Sequence, residues 1–394
     1  VLEAYLLDWL NLFLRFVHII TGIAWIGASF YFNWLENKIY RVGQRDGIAG
    51  SLWAIHGGGY YYLEKYQKYP ESQPIKLHWF KWEAYSTWIS GFLLLITIYY
   101  LNAETYLLYS DATIVVTPAH GVLLSVLGLV SGWLIYDGLC RSSLVRYPFY
   151  FLLVILALVP IFAYLYELVF SPKAVFIQLG AMIGTIMVAN VFFVIMPVQR
   201  KLVQACDEKT PVSSELGLKG YQRSRHNNYF TLPVLLTMIS GHYPHLYSTD
   251  YNYLVITVVF IVSVLVRHIF NLRGEGKPFG RTIIIAVVFL IAIIVAVMPK
   301  QNVYNPDIKV GFEQVREVLD KHCVSCHSAN PTQAGFAKPP LGFMVHTDKL
   351  AKQGKKLIYQ NTVMSRSMPL GNLTKMTDEE RGVIRIWYES TLSN

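Results

Sequence analysis

Long apolar stretches recur through the first 300 residues, and a helix needs about 20 such residues to cross the roughly 30 Å hydrocarbon core of a bilayer. Eight segments approach that length: about 9 to 34, 82 to 101, 115 to 136, 148 to 170, 174 to 197, 228 to 247, 251 to 270 and 281 to 299. In lipid a helix satisfies its own backbone, so the expected fold is all-α, a polytopic membrane bundle of about eight transmembrane helices. With 54% apolar and only 15% charged residues, the chain is not an ordinary soluble protein. The sixth segment is short and carries Pro233, which reads as a kinked or partly re-entrant span.

The composition changes near residue 300, beyond which Lys, Asp, Glu, Ser and Pro become frequent and no apolar run is long enough to span. This divides the chain into a membrane domain at 1–300, a linker at 301–306 and a tail at 307–394. Within the tail, Cys323-Val-Ser-Cys326-His327 has the spacing of a covalent haem c site. Two thiols add across the haem vinyl groups and the adjoining imidazole ligates the iron. A disulfide, a redox dithiol or half a zinc site would share the two cysteines, but no second Cys pair accompanies them. Met368, followed by Pro369, is the expected second axial ligand, with Met344, Met364, Met376 and His346 as competitors. The tail should therefore be a class I-like, all-helical cytochrome c domain. Its last helix, opened by Thr377-Asp-Glu-Glu, should pack on a helix at Phe312–Leu319.

Cations sort by loop. The loops after the first, third, fifth and seventh segments hold almost all of them, including Lys38, Arg41, Lys65, Lys81, Arg141, Arg146, Arg200, Arg223, Arg225 and Arg273, whereas the other loops offer Lys173. By the positive-inside rule both termini face outward, which puts the tail on the periplasmic side of a bacterial inner membrane. Haem c is attached on that side. The net charge of +9 is thus topological, and a nucleic-acid partner gains nothing from it. Cys140 and Cys206 fall in predicted cytoplasmic loops as unpaired thiols. The first apolar segment contains Arg15 and His18 and lacks a small-residue cleavage site, so it reads as a span and not as a removable signal.

Ionisable side chains at membrane depth are costly and default to function. Arg15, His18, His120 and Glu167 fall at an outer level; His78, Lys81, Glu83, His226, Arg267 and His268 fall at an inner one. His56 in Ile55-His-Gly-Gly-Gly suggests a re-entrant or interfacial segment. No span carries two widely spaced histidines, which disfavours a diheme b-type bundle. A single haem b held by histidines of two helices stays open, with His18, His120 and His268 as its ligands or as a relay.

These blocks together resemble the bacterial membrane-bound, cytochrome c-linked urate oxidases (urate hydroxylases). The likeness is carried by Arg15-Phe-Val-His18 through Gly22, Trp25 and Gly27, His56-Gly-Gly-Gly-Tyr60, and His78-Trp-Phe-Lys81-Trp-Glu83, with Arg225-His226-Asn227-Asn228-Tyr229 and the Cys323–His327 pentad. The resemblance implies oxidation of urate to 5-hydroxyisourate, with oxygen from water, electrons passed to the fused haem c, and no obligate hydrogen peroxide. A downstream acceptor such as a soluble cytochrome c or terminal oxidase would then take them on. A planar monoanion needs cationic and amide clamps, for which Arg15, Lys81, Arg225, Arg267, Asn227 and Asn228 are available, with His18 beside Arg15. Activating water needs a base with a pKa near ambient pH, which points first to His226, His78 and Glu83. An electron conduit or quinol-linked respiratory subunit without its own chemistry is the competing reading.

Overall fold

Proline opens three of the long helices, because its fixed φ suits a first turn in which its missing N–H is not needed. These are α3 (Pro118–Arg141), α4 (Pro148–Glu167) and α5 (Pro172–Ala189). Thr117 and Ser171 cap α3 and α5 by accepting from the backbone N–H groups of His120 and Ala174. The computed structural model describes residues 2–66, 77–208, 210, 214–247, 249, 251–298, 310–333, 336 and 338–390. The predicted linker at 301–306 and the Cys206 side chain lie outside them.

Around these three helices stand α1 (Leu2–Lys38), α2 (Trp82–Leu94), α6 (Met196–Asp207), α7 (Ser214–Ile239), α8 (Asn252–Gly274) and α9 (Gly280–Ala296). α5 is the central helix, packed against α2, α3, α4 and α7 and buried along most of its length. At Gly132 of α3, a Cβ would stand 2.5 Å from Met182 Cγ of α5, so only glycine lets the two helices approach this closely.

Among the described residues, five helices are long and apolar enough to cross a membrane: Tyr5–Lys38, Pro118–Arg141, Pro148–Glu167, Pro172–Ala205 and Asn252–Gly274. Eight were expected, and the shortfall has local causes. α2 passes into π-helical turns at Leu95–Tyr100 and Ala103–Leu107, which break one span into short pieces. The sixth segment belongs to a longer helix, since α7 starts at Ser214 and runs through Pro233, and its polar first half lowers its hydropathy. α9 is apolar but has 17 residues.

The fold is also not purely helical. β1 (Ile48–His56) and β2 (Gly59–Tyr66) form an antiparallel hairpin after α1, with Trp53 opposite Tyr62. Gly57 and Gly58 both have positive φ, 57° and 80°, as a two-residue turn between twisted strands requires. The His56-Gly-Gly-Gly segment is therefore an exposed hairpin tip and not a re-entrant loop. Lys65 and Arg41 both reach Glu36, tying the hairpin to the end of α1.

The tail has its own core of Val315, Val318, Leu319, Val345, Ala351, Ile358, Val363, Met376, Ile384 and Trp387. α10 (Phe312–His322) packs on α13 (Asp378–Ser390) as the sequence indicates, with the Phe312 and Trp387 rings 5.7 Å apart. Short helices α11 (Asp348–Gln353) and α12 (Lys355–Tyr359) lie between them. The tail rests on the bundle end formed by the α2–α3 and α4–α5 connections, where Ser110 meets Asn372 and Leu108 bridges Phe170. We term this the proximal end; the C-terminal ends of α1, α3 and α8 mark the distal one.

Candidate functional site

Polar side chains gather at the distal end, and α7 is their hub. From one side of α7, Arg223 pairs with Asp137 of α3 at 2.7 Å and reaches Asn190 Oδ1 at 3.2 Å. His226 Nδ1 lies 2.7 Å from the Tyr136 hydroxyl, and its ring stacks on Phe151. Asn190 donates to Asn227 Oδ1 at 2.8 Å, and Asn227 donates in turn to Met187 O. From the other side, Asn228 Oδ1 accepts from Arg267 Nε and from Asn271 Nδ2, both at 3.0 Å, and Asn33 of α1 donates to Asn271. Tyr229 meets His268 Nδ1 at 2.8 Å.

The two sides differ in charge balance. Arg223 is 4% exposed and neutralised by Asp137, which also holds Arg141. Arg267 is 5% exposed, lies 3.9 Å from the centre of the Phe30 ring, and has no carboxylate partner among the described residues. Beside it, Asn228 Nδ2 is buried with no hydrogen-bond partner. A buried guanidinium without a counter-ion is costly, and an unpaired amide N–H adds to that cost. Arg267, Asn228, Asn271 and the Phe30 face thus offer donors and an aromatic wall to an anionic, planar group.

Of the residues selected from sequence, Asn227, Asn228, Arg267, His226 and His268 come to this end, but α7 places His226 and Asn227 on one side and Asn228 on the other. His78 and Glu83 approach to 3.9 Å at the start of α2; His78 is largely exposed, whereas one Glu83 carboxylate oxygen is buried without a partner. Lys81 caps α2 over Trp82, and Arg225 is exposed. Arg15 is exposed and donates to Asn11, while His18 bonds Thr87 O and Ser90 and packs on Gly91. His120 is exposed beside its cap Thr117. The predicted outer group is therefore not one cluster. Sequence reasoning passed over Asp137, Tyr136, Asn190, Asn271 and Asn33, and counted Arg223 as a loop cation. Asp137 carried a signal: a carboxylate near the end of an apolar helix is a functional residue by default.

In the tail, His327 Nδ1 donates to Phe343 O at 2.9 Å, which fixes the tautomer and leaves Nε2 with its lone pair. Cys323 and Cys326 are unpaired, and burial pushes the Cys323 thiol up to about 12 and raises Cys326 as well. Met368 lies in a segment held at both backbone groups, its N–H on Asn361 O and its carbonyl under Arg381 Nη1. Met376 belongs to the apolar core and Met364 is exposed, whereas His346 keeps a buried Nδ1 without a partner.

A family model described as urate oxidase N-terminal matches residues 4–298. The chain belongs to the urate oxidase N-terminal family. No curated protein and no solved structure matches the chain. The family match spans the whole bundle, including Arg267, Asn228 and Asp137, and stops before the tail. In the pentad the His327 tautomer leaves Nε2 as a ligand nitrogen beside the two unpaired thiols of Cys323 and Cys326, the donor set that a covalently held haem would need. His18 is held by Thr87 O and Ser90, His120 by Thr117, His226 by Tyr136 and His268 by Tyr229, each at its own place in the bundle.

Proposed function

We propose that the chain is an integral membrane urate hydroxylase whose tail carries one haem c on Cys323, Cys326 and His327, with Met368 as second ligand. Urate and water yield 5-hydroxyisourate, two protons and two electrons. Haem c, when bound, accepts those electrons one at a time. The reading rests on Arg267, a buried guanidinium with no carboxylate partner among the described residues, in a member of the urate oxidase N-terminal family. Urate is a planar anion at neutral pH. Arg267 would neutralise it, Asn228 Nδ2 and Asn271 would bond its ring edge, and Phe30 would cover its face. The Tyr229–His268 pair adjoins this place and would take the proton of the attacking water, a role for which the sequence pointed first to His226, His78 and Glu83.

The helical rise puts Arg267 about 22 Å along α8 from its proximal start, so electrons must travel the bundle to reach the tail. Aromatic rings follow one another along α2 and the π turns after it: Trp88 stacks on Phe92 at 5.2 Å, Phe92 meets Tyr100, and Tyr99 meets Tyr106. Tails facing the periplasm would pass electrons to a soluble cytochrome c or a terminal oxidase.

The test uses purified chain with urate and external cytochrome c under air. Two cytochrome c molecules should be reduced per urate consumed, with no matching peroxide. Peroxide released one-for-one with urate would refute the reading. Arg267→Ala should raise the KM for urate by about tenfold or more while leaving haem content intact. An unchanged KM would remove Arg267 from the site.

A further inference from the structure

Between α2 and α3 the chain makes the π turn Ala103–Leu107 and a half-buried stretch that ends at the exposed Asp111. The tail lays residues 369–372 on this loop. Ser110 donates through its backbone N–H to Gly371 O at 3.4 Å and through Oγ to Asn372 O at 2.5 Å. Asn372 Nδ2 donates to the Asp111 carboxylate. Gly371 has φ +58°, and a Cβ there would meet Leu108 O at 3.4 Å and Thr105 O at 3.6 Å, so the tail backbone lies directly on loop carbonyls.

The same segment is wired into the haem unit. Asn372 Oδ1 accepts from Met376 N and from Arg381 Nη2, and Arg381 Nη1 holds the carbonyl of Met368 at 2.8 Å. A chain of bonds therefore runs from Asp111 in the bundle through Asn372 and Arg381 to the Met368 backbone. Beside it, Tyr106 packs near Phe336 with ring centres 6.4 Å apart. Its other neighbour is Tyr99 of the buried core, and its carbonyl accepts from Ser171 at the start of α5.

We propose that the loop from Ala103 to Asp111 is the electron-exit port of the bundle, with Ser110 and Asp111 clamping the Met368-bearing segment and Tyr106 joining the core at Tyr99 to the tail at Phe336. The inference rests on reading the tail as a haem c unit. Ser110 and Asp111 are positioning residues: they touch neither urate nor iron. Electron coupling falls steeply with distance, so loosening the clamp should slow transfer without altering the haem or the substrate site. One electron crosses the port per event, and two events follow each urate oxidised.

The experiment compares full-length wild type, Asp111→Ala, Asp111→Asn and Gly371→Ala in detergent. Hydrogen exchange of peptides covering 105–112 reports docking. Anaerobic haem reduction by urate, set against reduction by dithionite, reports transfer. Asp111→Ala and Gly371→Ala should speed exchange and slow urate-driven reduction by about tenfold or more, with dithionite reduction and haem content unchanged. Asp111→Asn keeps an acceptor for Asn372 and should stay near wild type. Unchanged exchange in both damaging variants overturns the clamp, and faster exchange with an unchanged urate-driven rate overturns the port. If urate fails to reduce the wild-type haem, the proposed function falls separately, and equal exchange in wild type and variants would then also defeat the docking contact.

Discussion

Two buried arginines at the distal end share a chemistry and differ in what faces them, and that difference separates structure from function. Arg223 neutralises Asp137, so Arg223→Ala leaves that half-buried carboxylate with the exposed Arg141 alone and should cost about 1–3 kcal/mol, read as a lower unfolding temperature in detergent. Arg267 has no such carboxylate among the described residues; Arg267→Ala should leave stability within about 1 kcal/mol of wild type and act on urate binding. Equal destabilisation by both would make Arg267 a structural residue. At the other end of the electron route, Met368→Ala should abolish the sulfur-to-iron charge-transfer band of the ferric haem and lower its potential. A band that persists would shift the ligand elsewhere, with His346 the first residue to test by the same measurement.

α13 shows how much of an element the sequence can carry. Thr377 and Glu380 form the reciprocal cap expected from the sequence, Glu380 N to Thr377 Oγ1 at 3.3 Å and Thr377 N to Glu380 Oε2 at 2.8 Å. What the sequence does not show is that Glu380 also binds Lys321 and His322 of α10, because that pairing depends on tertiary packing. Lys321, the Thr377 N–H and His322 together hold its carboxyl at about 2, well below the usual carboxylate range. A depressed carboxylate stabilises the fold above its unfolded pKa and loses that contribution as pH falls from about 4.5 toward about 2. Thermal unfolding of the tail, followed in the Soret band, should therefore weaken across that window. Glu380→Gln should flatten the dependence and lower stability at neutral pH by on the order of 1–2 kcal/mol, after allowance for solvent screening. The same contrast holds in the bundle. The apolar stretches beginning near 115, 148 and 174 place helix starts close to Pro118, Pro148 and Pro172, whereas the extent of α7 was hidden because its first half is polar and largely exposed, with Gly220 and Arg223 turned into the bundle, so hydropathy does not register it. The hairpin was missed because its alternating pattern was overshadowed by His56 and three glycines, read as a re-entrant or interfacial segment and not as a turn.

At the scale of the molecule, sidedness links the charge pattern of the loops to the electron route. The cation-rich loops follow α1, α3, α5 and α8, at the distal end that carries the hairpin and Arg267; the tail docks at the proximal end beside the α2–α3 loop. If the cation-rich end faces the cytoplasm, urate reaches Arg267 from the cytoplasmic side and electrons leave on the periplasmic side, where haem c is attached. Oxidation and electron export would then occur at opposite ends of one bundle, with protons released near the cytoplasmic end. Two exposed positions test this. Tyr60 lies in the hairpin at 77% exposure, and Val115 lies in the proximal loop at 81%. In intact spheroplasts a membrane-impermeant thiol reagent should label Val115→Cys and spare Tyr60→Cys until the membrane is permeabilised. The reverse pattern would put the tail in the cytoplasm, away from the machinery that attaches haem c, and would remove the physical basis for coupling this bundle to a covalent haem.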